Sequence, residues 1–413
     1  MSTDAPAIPA GAAGDTAPPT GAVPPGASVR GHSHGAPAQP VDARQEIVRS
    51  FDVADFPALT GREEEWRFTP LGRLRGLHDG RFTPAAQAPE HRFGALADGV
   101  TITRVGKDDA RVGSVLTPFD RVSAQAYTAV DEALVVSVAR NAVVTEPIVV
   151  EILGRGADGA SFGHTVVELG ESAEATVVLD HTGAAALADN VELIVGANAR
   201  LRLVTIADWS GDSVQLQHQR ARLERDASLT HIAVSLGGDL VRQYTSVAFA
   251  GRGAEVDAYG IYFADAGQHL EHRLLADHSV PDCRSNVVYR GALQGRDAHT
   301  VWVGDVVIRA EATGTDTYEI NRNLILTDGA RADSIPNLEI ETGEVAGAGH
   351  ASATGRFDDE QLFYLQSRGI PAEEARRLVV RGFFAELLAK IGVPVVSERL
   401  AASIEARLTK AGV

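Results

Sequence analysis

The sequence predicts a mainly β fold, a parallel β-helix (solenoid) flanked by N- and C-terminal helical segments. A four-residue turn with alanine in its fourth place recurs along the chain, and its starts are separated by 26, 28, 27, 44 and 34 residues. Periods of this length are typical of stacked repeat units. Short β-rich runs fill the intervals with no helical stretches of about 10–15 residues between them, which disfavours an α/β fold. The six turns begin at Gly170, Gly196, Glu224, Gly251, Gly295 and Gly329.

Residues 1–41 predict a disordered, Pro/Ala/Gly-rich tail. The first 40 residues hold 8 of the 18 prolines and no aromatic residue. Such a composition buries too little apolar surface to offset the entropy of ordering. His32 and His34 could catch a stray metal ion, but they have no third ligand on a rigid element, so we expect no functional site there.

Residues 42–95 predict a small N-terminal helical cap. Ile47, Val48 and Phe51 recur at the spacing of one helical turn. An acidic run at residues 63–65 then leads into Trp66. Together these features favour a small helical cap.

Residues 96–355 predict the β-helix core. Each repeat is expected to form one rung, made of a polar turn, a small residue at the bend and a strand whose inward face stacks on the next rung. Between Val100 and Ile340 only four prolines interrupt the pattern, as ladder hydrogen bonding requires. A β-sandwich is the main alternative. The clearest strand candidates are residues 100–105, 134–138, 191–195 and 301–303.

Residues 356–413 predict a C-terminal helical domain. Acidic residues at 358–360 suit a first turn, Gly369 suits a helix end, and Pro371 opens a second helix that ends before Pro394. A third helix is expected from Ser397. The second helix carries a wide apolar face, which favours core packing, with docking of a partner as the alternative.

Charge and composition exclude several classes of partner. Lys and Arg number 38 against 55 Asp and Glu, and the net charge of −17 would repel nucleic acid and anionic membrane surfaces. The single cysteine, Cys283, can form no intramolecular disulfide and cannot alone hold an iron–sulfur cluster. With no basic leader and no run of 18 apolar residues, we expect a soluble, cytoplasmic protein.

Common catalytic motifs are missing from the sequence. No GxxxxGK[ST] phosphate-binding loop occurs, nor do the usual serine hydrolase, zinc protease and dinucleotide-binding motifs. His269, His272 and Cys283 lie in the densest group of potential metal ligands. They are weak candidates, because an odd separation sends His269 and His272 to opposite faces of a strand.

Several ordered motifs strongly resemble the SufB/SufD family of iron–sulfur cluster assembly scaffolds. The resemblance is close over residues 289–384, and EEEWRFTPL at residues 63–71 is similar to the family's N-terminal motif. The C-terminal motifs are YRGAL at 289–293, NRNL at 321–324, PNLEI at 336–340, HASATG at 350–355 and DEQLFYLQSRGI at 359–370.

The resemblance implies a right-handed parallel β-helix that serves as a non-catalytic scaffold subunit of a SufB–SufC–SufD complex. The implied partners are a SufB-like subunit and a SufC-like ATPase, which would supply the nucleotide chemistry. Thr327 stands where SufB-type members carry a cysteine, so the chain is similar to the SufD type. An iron–sulfur cluster would form transiently in the complex, and the isolated chain would hold no cofactor stably.

The resemblance also implies site residues. His350 matches a histidine that faces SufB and is associated with cluster formation, while Ala348 stands where some members carry a cysteine. The C-terminal helices are implied to dock the ATPase. The expected docking residues are Phe363, Tyr364, Leu365, Arg368, Gly369, Phe383 and Phe384.

A β-helix enzyme that cleaves polysaccharides is the alternative from another functional class. Such a site needs carboxylates placed together around the scissile bond, which on a solenoid means adjacent rungs in one groove. The acidic residues here fall mostly in turns. A secreted enzyme would also be expected to carry a signal peptide.

Overall fold

The chain folds into strands that alternate between two sheets. The computed structural model describes residues 48–356 and 359–410, and sixteen strands lie within them. They are β1 (Glu90–Phe93), β2 (Val100–Gly106), β3 (Glu132–Val138), β4 (Ile148–Leu169), β5 (Glu174–Val195), β6 (Arg200–Trp209), β7 (Val214–Leu223), β8 (Ser228–Ser235), β9 (Leu240–Phe249), β10 (Glu255–Ala264), β11 (His269–His278), β12 (Arg284–Leu293), β13 (His299–Ile308), β14 (Asp316–Ile325), β15 (Arg331–Ile340) and β16 (Gly347–Arg356).

Strands two places apart along the chain lie side by side. β6, β8, β10, β12, β14 and β16 form the first sheet, and β7, β9, β11, β13 and β15 form the second. The two halves of β5 join these sheets, since residues 174–183 pair with β6 and residues 186–195 pair with β7. All pairings from β5 to β16 are parallel. The predicted β-solenoid is confirmed, and the β-sandwich is excluded.

The repeated turn has one backbone geometry. In the turn that starts at Gly170, the Ala173 N–H donates to the Gly170 carbonyl (3.1 Å), and Ser172 has a φ of +58°. A positive φ at the third of four residues defines a type II turn and favours Gly, Asn or Asp. The fourth place is buried and small in five of the six predicted turns. The buried residues at this fourth position are Ala173, Ala199, Ala227, Ala254 and Ala298.

The sixth predicted turn is displaced. Ala332 lies inside β15, and the observed turn ends before that strand begins at Arg331. A further turn lies just before β12. It carries Cys283 at the fourth position, where the other turns carry alanine, so the alanine pattern did not reveal it. Cys283 follows Asp282, which has a φ of +57°, and its side chain is buried.

The main hydrophobic core lies between the two sheets. Alternation along each strand sends every second side chain inward, and the parallel register stacks it on its counterpart in the next coil. The inward residues are mostly Val, Leu and Ala, with larger aromatic side chains toward the C-terminal end. Representative members are Leu179, Leu203, Val256, Leu274 and Val306.

The C-terminal helices cover the outer face of the first sheet. Phe384 and Leu387 are fully buried in one cluster with Ile206 and Ile261 of the sheet. The apolar face is therefore core, as predicted. The last helix begins at Pro394, three residues before the predicted start, because proline is tolerated in a first helical turn. The described helices are α1 (Arg121–Ala129), α2 (Asp359–Ser367), α3 (Ala372–Lys390) and α4 (Pro394–Lys410).

The predicted N-terminal helical cap is wrong for residues 48–95. This part holds β1 and two single-turn 3₁₀ helices, Val53–Asp55 and Leu71–Arg73, but no α-helix. Prolines and glycines recur too often for a longer helix to form. The tail over residues 1–41, with His32 and His34, and the start of the cap at residues 42–47 lie outside the described residues.

Residues 56–82 form a strap across the outer face of the second sheet. The Trp66 ring is buried against the Arg242 guanidinium, which lies 3.9 Å from the ring centroid. The Thr69 hydroxyl donates to Glu271 (2.7 Å), and Arg273 donates to the Glu64 carbonyl (3.1 Å). Burial alone would raise the pKa of Glu271, but Arg242, His269 and Arg273 outweigh it and hold that pKa well below its ordinary value. The EEEWRFTPL motif is therefore the anchor of the strap.

No described helix combines the length and the apolarity needed to cross a lipid bilayer.

Candidate functional site at the open end of the solenoid

The C-terminal end of the solenoid presents two edge strands. Within the described residues, β15 and β16 each pair with a strand on one side only. The Gly347 N–H donates toward β14, to the Thr315 carbonyl (3.3 Å). Successive residues of a strand point their backbone groups to alternate sides. Residues 348, 350, 352 and 354 therefore direct their N–H and C=O groups away from β14.

The two edges differ in their capacity to pair with another strand. In β15 the Arg331 N–H donates to the Ala298 carbonyl (2.8 Å), so the even-numbered residues point outward. Pro336 occupies one of these outward places and has no N–H to donate. β16 contains no proline. The β16 edge is therefore the better template for an added strand.

His350 lies on β16, at the mouth of the solenoid. Its register partner on β14 is Glu319, and register partners share one face of a sheet, so the imidazole lies on the inner side. Because no later coil covers it, its side chain stays 43% exposed. Its Nδ1 lies 3.9 Å from Glu319 Oε1, too far for a hydrogen bond.

Glu319 carries a buried carboxyl without a hydrogen-bond partner. Its side chain is fully buried, and neither of its oxygen atoms is paired. Burial raises the pKa of Glu319 to about 8, with the charge of Asp305 acting in the same direction. An unpaired buried carboxyl is rare in folded proteins. The group is mostly neutral at pH 7 unless a cation joins it.

Polar side chains continue from the open end into the solenoid. The Tyr262 hydroxyl donates to Asn323 Oδ1 and accepts from Asn321 Nδ2, at 2.7 Å in both cases. The Tyr262 ring stacks on the His272 ring with a centroid distance of 4.9 Å. His272 Nε2 lies 3.0 Å from the Ser235 hydroxyl. The interior behind His350 is therefore polar over several coils.

Comparison with known proteins decides the family. The family model for the SUF system FeS cluster assembly, SufBD core domain, matches residues 152–383, more than half of the chain. This chain belongs to the SufBD family. An iron-sulfur cluster assembly SufBD family protein of Mycobacterium tuberculosis is 56% identical over 371 residues, which cover 88% of this chain and 92% of that protein.

Further SufBD relatives show two degrees of similarity. One from Mycobacterium leprae is 56% identical over 369 residues, 88% of this chain and 94% of the relative. A second SufBD family protein of M. tuberculosis is 32% identical over 193 residues, 47% of this chain and 23% of its own length. The family that the sequence motifs predicted is confirmed.

The SufBD core match covers the functional candidates at the open end. It begins within β4 and ends within α3, so it includes both sheets, Glu319 and His350. The strap and α4 lie outside the match. The match therefore covers the solenoid from β4 onward and the first part of the helices that pack on it.

The residues predicted to dock an ATPase differ in exposure. Phe363 and Tyr364 on α2 are 72% and 57% exposed. Leu365 and Phe383 are half-buried, and Arg368 and Gly369 are exposed. Phe384 is fully buried against the first sheet, so its side chain presents no surface for docking in this structure. Neighbouring aromatic residues on a helix point in different directions, which the sequence motif alone does not reveal.

A groove of about 560 Å³ lies between α3 and the C-terminal part of the first sheet. Leu324, Leu378 and Phe383 give it apolar walls. Three arginines also line it, and Arg290 donates to the Phe383 carbonyl (2.8 Å). The groove suits an acidic and partly apolar protein surface. Its arginines are Arg290, Arg322 and Arg356.

The three weak metal candidates do not come together. His269 lies on the outer face of the second sheet, 3.2 Å from Glu271, while His272 lies inside the solenoid, as the odd spacing predicted. Burial lowers the pKa of His272 to about 3 and raises that of the Cys283 thiol. Cys283 is part of a turn at the sheet edge. Among the described residues no group of three His, Cys, Asp or Glu side chains is placed to hold a metal ion.

A second cavity, of about 580 Å³, lies at the N-terminal end of the SufBD core. Its lining includes His91, Arg104 and the buried pair His181 and Asp189, with Nε2 and Oδ2 4.0 Å apart. Burial raises the pKa of Asp189 to about 7 against hydrogen bonds from Gln217 and Gln215. Burial lowers the pKa of His181 to about 4. Both side chains are therefore mostly uncharged inside the cavity near pH 6.

Sequence reasoning missed Glu319. Both faces of β14 carry polar residues, so alternation gave no contrast between inside and outside. A signal was present in the NRNL motif, because Asn321 and Asn323 lie two and four residues after Glu319 and share its face. Knowing that the two asparagines point inward would have placed the carboxyl inside the solenoid.

Proposed function

We propose that this chain is a non-catalytic, SufD-like scaffold subunit that builds iron–sulfur clusters together with a second SufBD protein and an ABC-type ATPase. The observation that carries the proposal is the open end of the solenoid. There the proline-free edge strand β16 carries His350, within the matched SufBD core. A second solenoid that added a strand to β16 would close over His350 and Glu319. Cluster precursors would then meet at the shared surface.

The relatives support pairing with a different SufBD protein. M. tuberculosis has one SufBD protein that matches this chain nearly end to end and another that matches less than half of it. Two diverged members in one organism fit a complex built from two unlike solenoids. Self-association would need only one.

The chain's own residues support a scaffold that does not hold its product. The sequence has one cysteine, Cys283, and its thiol is buried in a turn with a raised pKa. A cluster normally takes four thiolates. We therefore expect the cluster to pass through the complex as cargo, with this chain supplying shape and His350.

The ATPase is proposed to bind at α2 and the neighbouring groove. The exposed aromatic rings of Phe363 and Tyr364 suit a partner's apolar contact, and Arg322 and Arg356 suit acidic residues around it. No phosphate-binding loop occurs in this chain, so ATP turnover would belong to the partner.

Point substitutions in α2 test this docking better than truncation does. Removal of all residues after 355 would uncover the outer face of the first sheet, including Ile206 and Ile261, and would promote aggregation. The double variant Phe363→Ala/Tyr364→Ala, co-expressed with the ATPase and the second SufBD protein, should lower ATPase capture by about tenfold or more. Capture of the second SufBD protein should stay unchanged.

Phe93→Ala is the matched control, because Phe93 is a similarly exposed aromatic residue on β1 (44%). It should retain both partners. Undiminished ATPase capture by the double variant would remove α2 from the docking surface. Equal loss in the control would show a general effect of surface aromatic residues.

A further inference from the structure

The second cavity has the size and the lining of a small-molecule pocket. Its volume of about 580 Å³ falls within the range of roughly 300–1,000 Å³ that such pockets occupy. Most of its inner wall is apolar, and a buried polar pair and a charged rim complete it. It lies at the opposite end of the solenoid from β16. The apolar wall consists of Leu134, Ile152, Leu179, Leu187 and Val191.

The interior of the cavity offers one hydrogen-bond donor and one acceptor. His181 Nδ1 lies 2.9 Å from the Ile206 carbonyl, which can only accept, so this nitrogen carries the proton and Nε2 keeps its lone pair. Asp189 is mostly protonated below its pKa of about 7 and can then donate from its carboxyl. His181 Nε2 and Asp189 Oδ2 are 4.0 Å apart, too far for a direct hydrogen bond. A hydroxyl group between them could therefore bond to both.

Two side chains from the first strands roof the cavity. His91 on β1 opposes Ile152, and Arg104 on β2 opposes Leu134. Register partners share one face of a sheet, so both side chains lie on the side of the apolar wall. The Arg104 guanidinium donates to His91 Nδ1 (3.2 Å), and burial lowers the pKa of His91 to about 4, with the charge of Arg104 acting in the same direction. The imidazole is therefore neutral near pH 6 and leaves the positive charge of Arg104 in place.

Carboxylates lie on the same rim. Asp131 and Glu132 also line the cavity, and both are exposed. Glu132 lies two residues before Leu134, the register partner of Arg104, so Glu132 and Arg104 are diagonal neighbours on one face. An anion would be repelled by the two carboxylates, and a cation by the guanidinium. A small molecule that carries an ammonium and a carboxylate group on neighbouring atoms pairs with both charges.

We propose that the second cavity binds a free α-amino acid with a mainly apolar side chain. Arg104 holds the carboxylate, Asp131 or Glu132 holds the ammonium group, and the apolar wall receives the side chain. A hydroxyl at the end of that side chain would bond to the pair of His181 and Asp189. The proposal goes beyond the scaffold role, because it uses neither the β16 edge nor the surface proposed for the ATPase.

Four probes separate the groups that the cavity would recognise. L-norleucine carries both charges, hexanoate lacks its ammonium group, pentylamine lacks its carboxylate, and 6-hydroxy-L-norleucine adds a terminal hydroxyl. Ligand-observed NMR titration of the full chain at pH 6, where His181 and Asp189 are mostly uncharged, measures each affinity. L-norleucine should bind saturably, and hexanoate and pentylamine should each bind at least about tenfold more weakly. 6-Hydroxy-L-norleucine should bind about threefold more tightly than L-norleucine.

Two variants assign the binding to this cavity. Arg104→Gln should weaken L-norleucine binding about tenfold and leave pentylamine binding unchanged, because pentylamine has no carboxylate. Ala88→Trp should weaken the binding of all four probes, since Ala88 is an exposed residue of the rim and a large side chain there fills the entrance. Arg92→Gln is the matched control, because Arg92 is exposed on β1 beside His91 and donates to Glu90 (2.7 Å). It should bind as the parent does, and thermal unfolding checks the fold of every variant.

Equal affinities for L-norleucine, hexanoate and pentylamine would overturn the proposal, as would L-norleucine binding that survives both Arg104→Gln and Ala88→Trp. An absence of saturable binding of every probe would show that the cavity holds only water. Equal affinity for the two norleucines would remove His181 and Asp189 from the site. Assembly with the second SufBD protein and the ATPase is measured separately, so either proposal can fail while the other stands.

Discussion

Asp189 is buried inside the first coils, where its carboxyl meets the amides of Gln217 and Gln215 and the ring of His181. Burial raises its pKa from 3.8 to about 7. Between about pH 4 and 7 the folded chain keeps a proton that the unfolded chain has lost. The free energy of unfolding therefore falls as pH rises through this window, and the loss stays constant above it.

Asp189→Asn should remove this dependence. The asparagine side chain can still accept a hydrogen bond from the Gln217 amide, but it carries no ionisable group. Its unfolding temperature should match the parent's near pH 4 and exceed it by a margin that widens up to about pH 7. Thermal unfolding across this range is the measurement, with the exposed Asp98→Asn as the control. A constant difference at every pH would contradict the raised pKa.

His350→Ala should leave folding and assembly intact, because the side chain is 43% exposed and makes no large apolar contact. Cluster formation by the whole complex should fall about tenfold or more, since imidazole is the donor group at the mouth. Intact mass, ATP turnover and cluster yield should be measured on the same preparation. Full cluster yield would make His350 a structural residue, and loss of the complex would assign it to packing.

At the residue scale, sequence reasoning succeeded where strand alternation or a family motif applied. The odd spacing of His269 and His272 correctly predicted that their side chains lie on opposite faces of one strand. The family motif identified His350 as a candidate site residue. It did not reveal that Phe384 is buried, because only the packing of α3 shows which aromatic residue the sheet covers. It missed Glu319, since no local pattern distinguishes an inward carboxyl from an outward one.

At the element scale, the recurrent turn carried the most information. A type II turn needs a positive φ at its third residue, so Asn198 and Asp226 mark the bends, and small buried residues follow them. The strap was predicted as part of a helical cap, and this was wrong because no local pattern encodes the packing of the strap. Its anchor is the long-range contact of Trp66 with Arg242, and no periodicity along the chain encodes such a contact.

The edge of β16 leads to a prediction for one residue of that strand. Ser352 directs its N–H away from β14, so Ser352→Pro should keep the β14 pairing and remove one donor from the free edge. Affinity for the second SufBD protein should fall about tenfold or more, whereas Ser352→Ala should bind normally. Circular dichroism checks the fold. Equal affinity of both variants would show that the partner does not add a strand at β16.

At the scale of the whole molecule, the fold class followed from repeat spacing because each coil makes mostly the same contacts with its neighbours. The open end could not be predicted in this way, since a repeat pattern does not show which coil is left uncovered. The balance of charges likewise excluded nucleic acid as an expected partner but could not place the arginine-lined groove.

Anaerobic reconstitution of the isolated chain should give no stable cluster. Cys283 is the one thiol, and it is buried in the turn before β12, two strands away from β16 in the first sheet. Iron and sulfide analysis after gel filtration is the measurement. Stoichiometric iron and sulfide that remain with the isolated chain would contradict a scaffold that passes its cargo on.

The most direct test of the proposed function is the intact mass, under non-denaturing conditions, of this full chain co-expressed with the second SufBD protein and the ABC-type ATPase of the same organism. We expect one complex whose mass requires all three different chains. Recovery of this chain only alone, or only with copies of itself, would contradict it.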